Sequence, residues 1–167
     1  MADITCRTQY SITLSGRVHS YEDGPNRYSV TVIDFSDAKA KHRERVARCR
    51  AAGRNCFDRG DLDLRGAIVY ATWRFLQRDA EVTELGYWVA DFVEGHQLQL
   101  GNADGSKTFA AINMHENRLY IVEGTVPANS PPPALFQQSI RFLDEAGTSI
   151  RYESIYSNGF PPPPRVR

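Results

Sequence analysis

Between residues 64 and 75 apolar side chains recur at Leu64, Ile68, Ala71 and Phe75, with Ala67 beside them. This i, i+4, i+7, i+11 spacing is one face of a helix, and a stripe of that width predicts a sheet to cover it. The next segment supplies the strands: VTELGYWVADFVEG (82–95), HQLQLGN (96–102), KTFAAINM (107–114) and NRLYIVEGTV (117–126) are β-forming runs parted by short links. Consecutive runs of this kind predict an antiparallel meander. The link NADGS carries Asp-Gly, a hairpin signal.

Upstream, Ile4, Cys6, Ile12, Leu14 and Val18 alternate with polar residues, as in a half-buried hairpin. Residues 21–26 read as a turn and YSVTVIDF (28–35) as a strand. Ser36 then offers an N-cap to a helix with Ala40, Ala47 and Ala51 on one flank, ended by Gly53, and FDRGD (57–61) reads as a polar loop. Downstream, Ser130 and three prolines lead into ALFQQSIRFLDEAG, where Leu135, Phe136, Ser139, Ile140, Phe142 and Leu143 predict a second amphipathic helix with Gly147 just past its end. The expected architecture is α+β: an antiparallel meander clamped on opposite faces by helices centred on Ile68 and Ile140. Residues 1–157 form one domain in this reading, and 158–167 a proline-rich flexible tail.

At 167 residues the chain is long enough to bury a core without staples. Twenty basic and twenty acidic residues cancel, so no whole-molecule field favours nucleic acid or an acidic membrane. No stretch approaches the roughly 20 apolar residues that span a bilayer. MADITCRTQY lacks the features of a secretory signal, which predicts a cytoplasmic form unless a leader has been removed. Cys49 and Cys56 bracket a short turn: in an oxidising compartment they would close a small disulfide loop, in the cytosol they would remain thiols. Cys6 is then the odd one.

Candidate chemistry centres on two histidines. In INMHENRLYIVEGTVP (112–127), Met114–Asn117 reads as the turn joining two strands; the competing reading makes His115 and Glu116 an acid/base or metal pair. His96 with Glu94 offers the same alternative, an enzyme of hydrolytic type. No HxH, HExxH, GxSxG or phosphate-cradling loop supports it, so no catalytic, cofactor-binding or metal-ligating residues are assigned and no cofactor is expected. Residues 39–54 are locally basic but lack interleaved aromatics, which favours a solvated face over a nucleic-acid contact. Arg59-Gly60-Asp61 and the Phe160 proline run match short recognition motifs that chance also produces. Trp73, Tyr87, Trp88 and Phe92 are expected in the core where helix and sheet meet.

The succession AIVYATWRFLQRDAEVT, DFVEGHQLQL, SKTFAAINMHENRLYIVEGTVP, PPPALFQQSIRFLDE and SIRY resembles a family of uncharacterised, typically exported bacterial proteins with a PsbP-like fold; RLYIVEGTVP…ALFQQSIRFL is the most telling part. The resemblance implies an α/β/α sandwich, as in PsbP of photosystem II and a small Ran-binding protein, and a non-catalytic binding or assembly role in the cell envelope, periplasmic or secreted, with a protein or small ligand as partner. Family members begin with a signal peptide and an additional strand pattern that is not seen before Tyr10. A missing first strand would leave an open sheet edge and favour a homodimer.

Overall fold

The chain, described here over residues 1–166 by a computed structural model, is built on one seven-stranded antiparallel sheet. Its strands are β1 (Ala2–Arg7), β2 (Thr13–Asp23), β3 (Asn26–Asp34), β4 (Ala80–Ala90), β5 (Val93–Asn102), β6 (Lys107–His115) and β7 (Arg118–Val126). Two hairpin systems meet in the middle, giving the order β1-β2-β3-β7-β6-β5-β4. The late meander therefore holds as expected, and the first three strands join it through the β3–β7 pairing.

Turn chemistry sets the register. Glu116 and Asn117 both have positive φ (46° and 60°), the two-residue turn whose twist suits a hairpin. Asp91 and Phe92 do the same between β4 and β5 (50° and 65°), which corrects the expectation of one strand running from 82 to 95. A bulky aromatic is rare in that conformation, so composition gave no turn signal at Phe92. Gly95, expected to end a strand, instead lies within β5: a Cβ there would come within 2.2 Å of the Ile112 carbonyl oxygen on β6. Close backbone approach explains this glycine.

Two helices cover one face. Helix α1 (Ala38–Ala51) packs on α2 (Gly60–Leu76), and α2 lies over β5 and β6. Leu64, Ala67, Ile68, Ala71 and Phe75 are buried as the spacing predicts, against Leu98, Leu100, Ala110, Ile112 and Met114. The α1 flank differs from expectation: Ala38, His42 and Val46 are buried, while Ala40 is half-buried and Ala47 and Ala51 are exposed. The helix turns this i, i+4, i+8 stripe inward because His42 finds a buried carboxylate on α2.

The opposite face is covered differently. The helix expected over 134–147 exists only as one turn, α3 (Ala134–Gln137). Two side chains stop it. Gln137 is buried and donates from its amide to the Ala110 carbonyl at 2.7 Å, while Asp144 accepts from the backbone N–H groups of Ala146 and Thr148 at 3.0 and 2.8 Å, nucleating a turn in place of a helix. The segments on either side of this turn then pair, with Ile150 N–H donating to the Phe142 carbonyl and Asp144 N–H to the Thr148 carbonyl. Phe142, Ile150, Tyr152 and Tyr156 pack with Ala90 and Val93 into a second core. The proline-rich stretch expected to hang free runs back along residues 151–153 through Glu153 N–H to the Pro164 carbonyl and Val166 N–H to the Arg151 carbonyl. Arg167 lies outside the described residues.

Burial separates the two views of this segment. Phe142 is 4% exposed and Leu143 58%, although both belong to the expected helical face. Phe142→Ala is expected to cost about 3–5 kcal/mol in urea denaturation, and Leu143→Ala less than about 0.5 kcal/mol. Comparable losses at both positions would contradict the irregular path.

Candidate functional site

The β6–β7 turn shrinks to Glu116 and Asn117, and Met114 and His115 belong to the strand. Alternation sends Met114 into the α2-side core and His115 to the other face, where it is 4% exposed. His115 Nε2 lies 2.8 Å from the Tyr152 hydroxyl, and its ring packs on Phe142 and Tyr156. The Tyr156 hydroxyl accepts from the Glu116 N–H, and Asn158 Oδ1 from the Asn117 N–H, so the C-terminal segment clasps the turn. Glu116 points outward and pairs with Arg165 at 3.1 Å. His115 and Glu116 therefore do not converge on a common point. The pair is a structural clasp.

Burial is the largest influence on the His115 imidazole and holds its pKa below the ordinary value; the Glu116 carboxylate opposes this, while Arg165 and Arg118 reinforce it. His96 is also held low, first by burial and against the pull of Glu94. The Thr72 hydroxyl donates to the Ile68 carbonyl at 2.9 Å, so its oxygen accepts from His96 Nδ1–H, also at 2.9 Å. That leaves His96 Nε2 as the free nitrogen, on the α2 side of β5 beside Tyr87 and on the same strand face as Glu94.

A third histidine was not singled out by its sequence context. His42 donates from Nε2 to Asp63 Oδ2 at 2.7 Å, and the Thr8 hydroxyl donates to the same oxygen at 2.5 Å. His42 is 0% exposed, so the network joins α1, α2 and the β1–β2 loop without a reactive atom at the surface. The i, i+4 spacing of Ala38, His42 and Val46 was the available signal.

The remaining motifs are absorbed by the fold. Asp61 of the Arg-Gly-Asp tripeptide opens α2 and pairs with Lys39 at 2.6 Å; Arg59 lies over the Tyr10 ring. Phe160 packs under Arg65. In the basic stretch 39–54, Lys41 and Arg45 donate to the Thr13 and Tyr10 carbonyls and Arg48 pairs with Glu44. Cys49 and Cys56 are joined as a disulfide, with Cα atoms 6.3 Å apart, and Cys6 is free. Among the described residues no group of three or more His, Cys, Asp or Glu side chains is placed to hold a metal ion.

Two surfaces stand out instead. One is the corner between α2 and β4. Cross-strand partners place Val82, Leu85 and Tyr87 on the sheet face that buries Leu100 and Leu98, and Val89 follows on the same face, yet all four are exposed, Tyr87 by 60%. At 3.6 residues per turn, Val69, Trp73 and Leu76 fall on the α2 flank of Thr72, toward β5 and β4, and are exposed as well. Tyr87 and Trp73 thus leave the core expected for them, whereas Trp88 and Phe92 pack against the second core on the other face. The second surface is a cleft of about 390 Å³ on the opposite flank of α2, over the β1, β3 and β7 strands. Its floor includes Ile4, Thr31, Ile33 and Ile121, and its wall Tyr70, Ala71 and Arg74. A further, shallower groove of about 540 Å³ runs between Tyr21, Tyr28 and Val30 of the far face and the Pro133–Phe136 turn.

The His115 clasp generates a pH dependence. In an unfolded chain the imidazole titrates near about 6.5; the folded value is lower, so between the two the unfolded chain binds a proton the folded one excludes. Stability is complete above about pH 6.5 and falls as pH drops from there through the folded pKa. His96 adds in the same direction. Urea midpoints between pH 8 and 5 are expected to fall more steeply for the natural chain than for His115→Gln; parallel slopes would refute the assignment.

No family model matches the chain, and no curated protein matches it. A solved structure of a Pseudomonas aeruginosa protein of unknown function is similar at 13% identity and a TM-score of 0.32, over 79% of this chain and 84% of that one.

Proposed function

We propose that this chain is a non-catalytic binding or assembly module of the bacterial cell envelope, periplasmic or secreted, a divergent variant of the PsbP-like α/β/α sandwich whose second helical layer has collapsed into the irregular 138–166 segment. Its assembly contact is the open β4 edge, and its first partner is a second copy of itself. The Cys49–Cys56 disulfide supports the location, since such bonds persist in oxidising compartments.

The observation that carries the assembly reading is the contrast between the two sheet edges. β1 has six residues and carries Asp3 and Arg7, the short charged form that discourages pairing. β4 has eleven, with no charge from Leu85 to Ala90, and its apolar residues continue onto the exposed α2 flank. Contiguous apolar surface of this kind marks interaction sites. A twofold antiparallel β4–β4 pairing about Leu85 suits the charges: Glu81 and Glu84 sit in the first half of the strand and fall opposite Val89 and Gly86 of the other copy, in its uncharged half. The exposed side chains Val69, Trp73, Leu76, Leu85 and Tyr87 then meet their counterparts.

Sedimentation of the natural chain at tens of micromolar is expected to give a dimer, and the double substitution Leu85→Lys, Tyr87→Lys a folded monomer. Both side chains are exposed, so neither change opens the core. A natural chain that stays monomeric at several hundred micromolar would overturn the self-pairing.

A further inference from the structure

We infer that the cleft between α2 and the β1–β3–β7 part of the sheet binds a small amphiphilic carboxylate, with its apolar body on Ile33 and Ile121 and its carboxylate on the Arg74 guanidinium. This goes beyond the assembly reading and does not depend on it, because the cleft lies on the flank of α2 away from β4.

The floor is apolar for a structural reason. Gly16 on β2 stands between Ile4 on β1 and Ile33 on β3, and a Cβ there would lie 3.2 and 3.3 Å from their Cγ1 atoms. The missing side chain lets the two isoleucines close over β2, and Thr31 and Ile121 continue the surface on β3 and β7. Both ends of the cleft are closed by groups that already have partners. At one end Arg78 forms two hydrogen bonds to the Glu123 carboxylate, at 2.6 and 3.0 Å, and lies 3.9 Å over the Phe75 ring. At the other end Thr8 is committed to Asp63, beside Phe35. A volume of about 390 Å³ lies at the small end of the ~300–1,000 Å³ range of ligand pockets.

Arg74 is the exception in this frame. Among the described residues it has no carboxylate within 4.0 Å, and its side chain reaches only Cys6 Sγ, at 3.6 Å. Burial raises the Cys6 pKa and outweighs the opposing influence of Arg74, so the sulfur is a neutral thiol and leaves the guanidinium uncompensated. A planar guanidinium takes a carboxylate through two parallel N–H donors. Arg7 also lines the cleft, but alternation along β1 sends its side chain to the face opposite Ile4 and Cys6, which leaves one uncommitted positive charge facing the cleft; with the Glu123 carboxylate lining it as well, a single negative charge suits it better than a phosphate dianion. An apolar floor with one cation at its rim therefore selects a short fatty or aryl-alkanoic acid.

The test is titration with decanoate, below its micellar concentration, read by calorimetry and by methyl NMR, with decanol as the uncharged control of equal chain length. The expected result is saturable one-to-one binding that shifts the Ile33 and Ile121 methyl signals. Arg74→Gln is expected to weaken decanoate about tenfold or more, as loss of a charge-assisted hydrogen bond does, and to leave decanol unchanged. Thr31→Phe, at a half-buried position of the floor, should block both ligands. Binding should persist in the Leu85→Lys, Tyr87→Lys variant, which separates this site from the β4 contact. No saturable binding, equal decanoate affinity with and without Arg74, or shifts confined to the groove beside Leu135 would each overturn the proposal; should Thr31→Phe fail to fold, the exposed Arg74 substitution decides alone.

Discussion

Strand β6 imposes the main constraint on this molecule. Thr108 to His115 are buried without interruption, so both faces of one strand must be shielded from water along its length. A strand of that kind belongs at the centre of a sheet and needs a layer on each side. Ala110, Ile112 and Met114 take α2 as their cover, and His115 on the reverse takes Phe142, Tyr152 and Tyr156. In the sheet β7 and β5 flank β6 and pair with it along its length. The far face also uses polar side chains. A buried imidazole, two phenols and Asn158 can be accommodated there because they hydrogen-bond to one another and to the turn.

The two covering layers differ in how plainly the residues announce them. The α2 stripe was legible because five apolar side chains repeat at helical spacing over three turns, and the packing found is the one that spacing demands. The β5–β6 and β6–β7 hairpins were legible from Asp-Gly and from Asn117. The β4–β5 turn was not, because Phe92 adopts a positive φ that its residue type disfavours, and Gly95 drew attention to the wrong place. Over 134–147 the apolar pattern was real but short. Local capture of backbone by Asp144 and tertiary capture of Gln137 outweighed helix propensity, which differs by well under 1 kcal/mol among most residues.

The site was less legible than the fold. His115 drew attention by its position between two strands, yet its role depends on Tyr152 and Tyr156, some forty residues later, a distance no local pattern spans. His42 and Asp63 pair across 21 residues for the same reason. Arg74 is one of many arginines in the chain; only the placement of Arg78 with Glu123 and of Cys6 as a thiol distinguishes it. Exposure of Trp73 and Tyr87 was likewise invisible from composition, because an aromatic on a helix flank or in an edge strand reads the same whether or not another layer covers it.

The clasp over the β6–β7 turn has a temporal consequence. Every residue that seals the reverse side of the sheet lies after position 127, and the seal is locked by Tyr152, Tyr156 and Asn158. A chain emerging amino-end first, from a ribosome or through a translocation pore, completes its seven strands while one greasy side is still bare. Protection during that interval must come from outside the molecule.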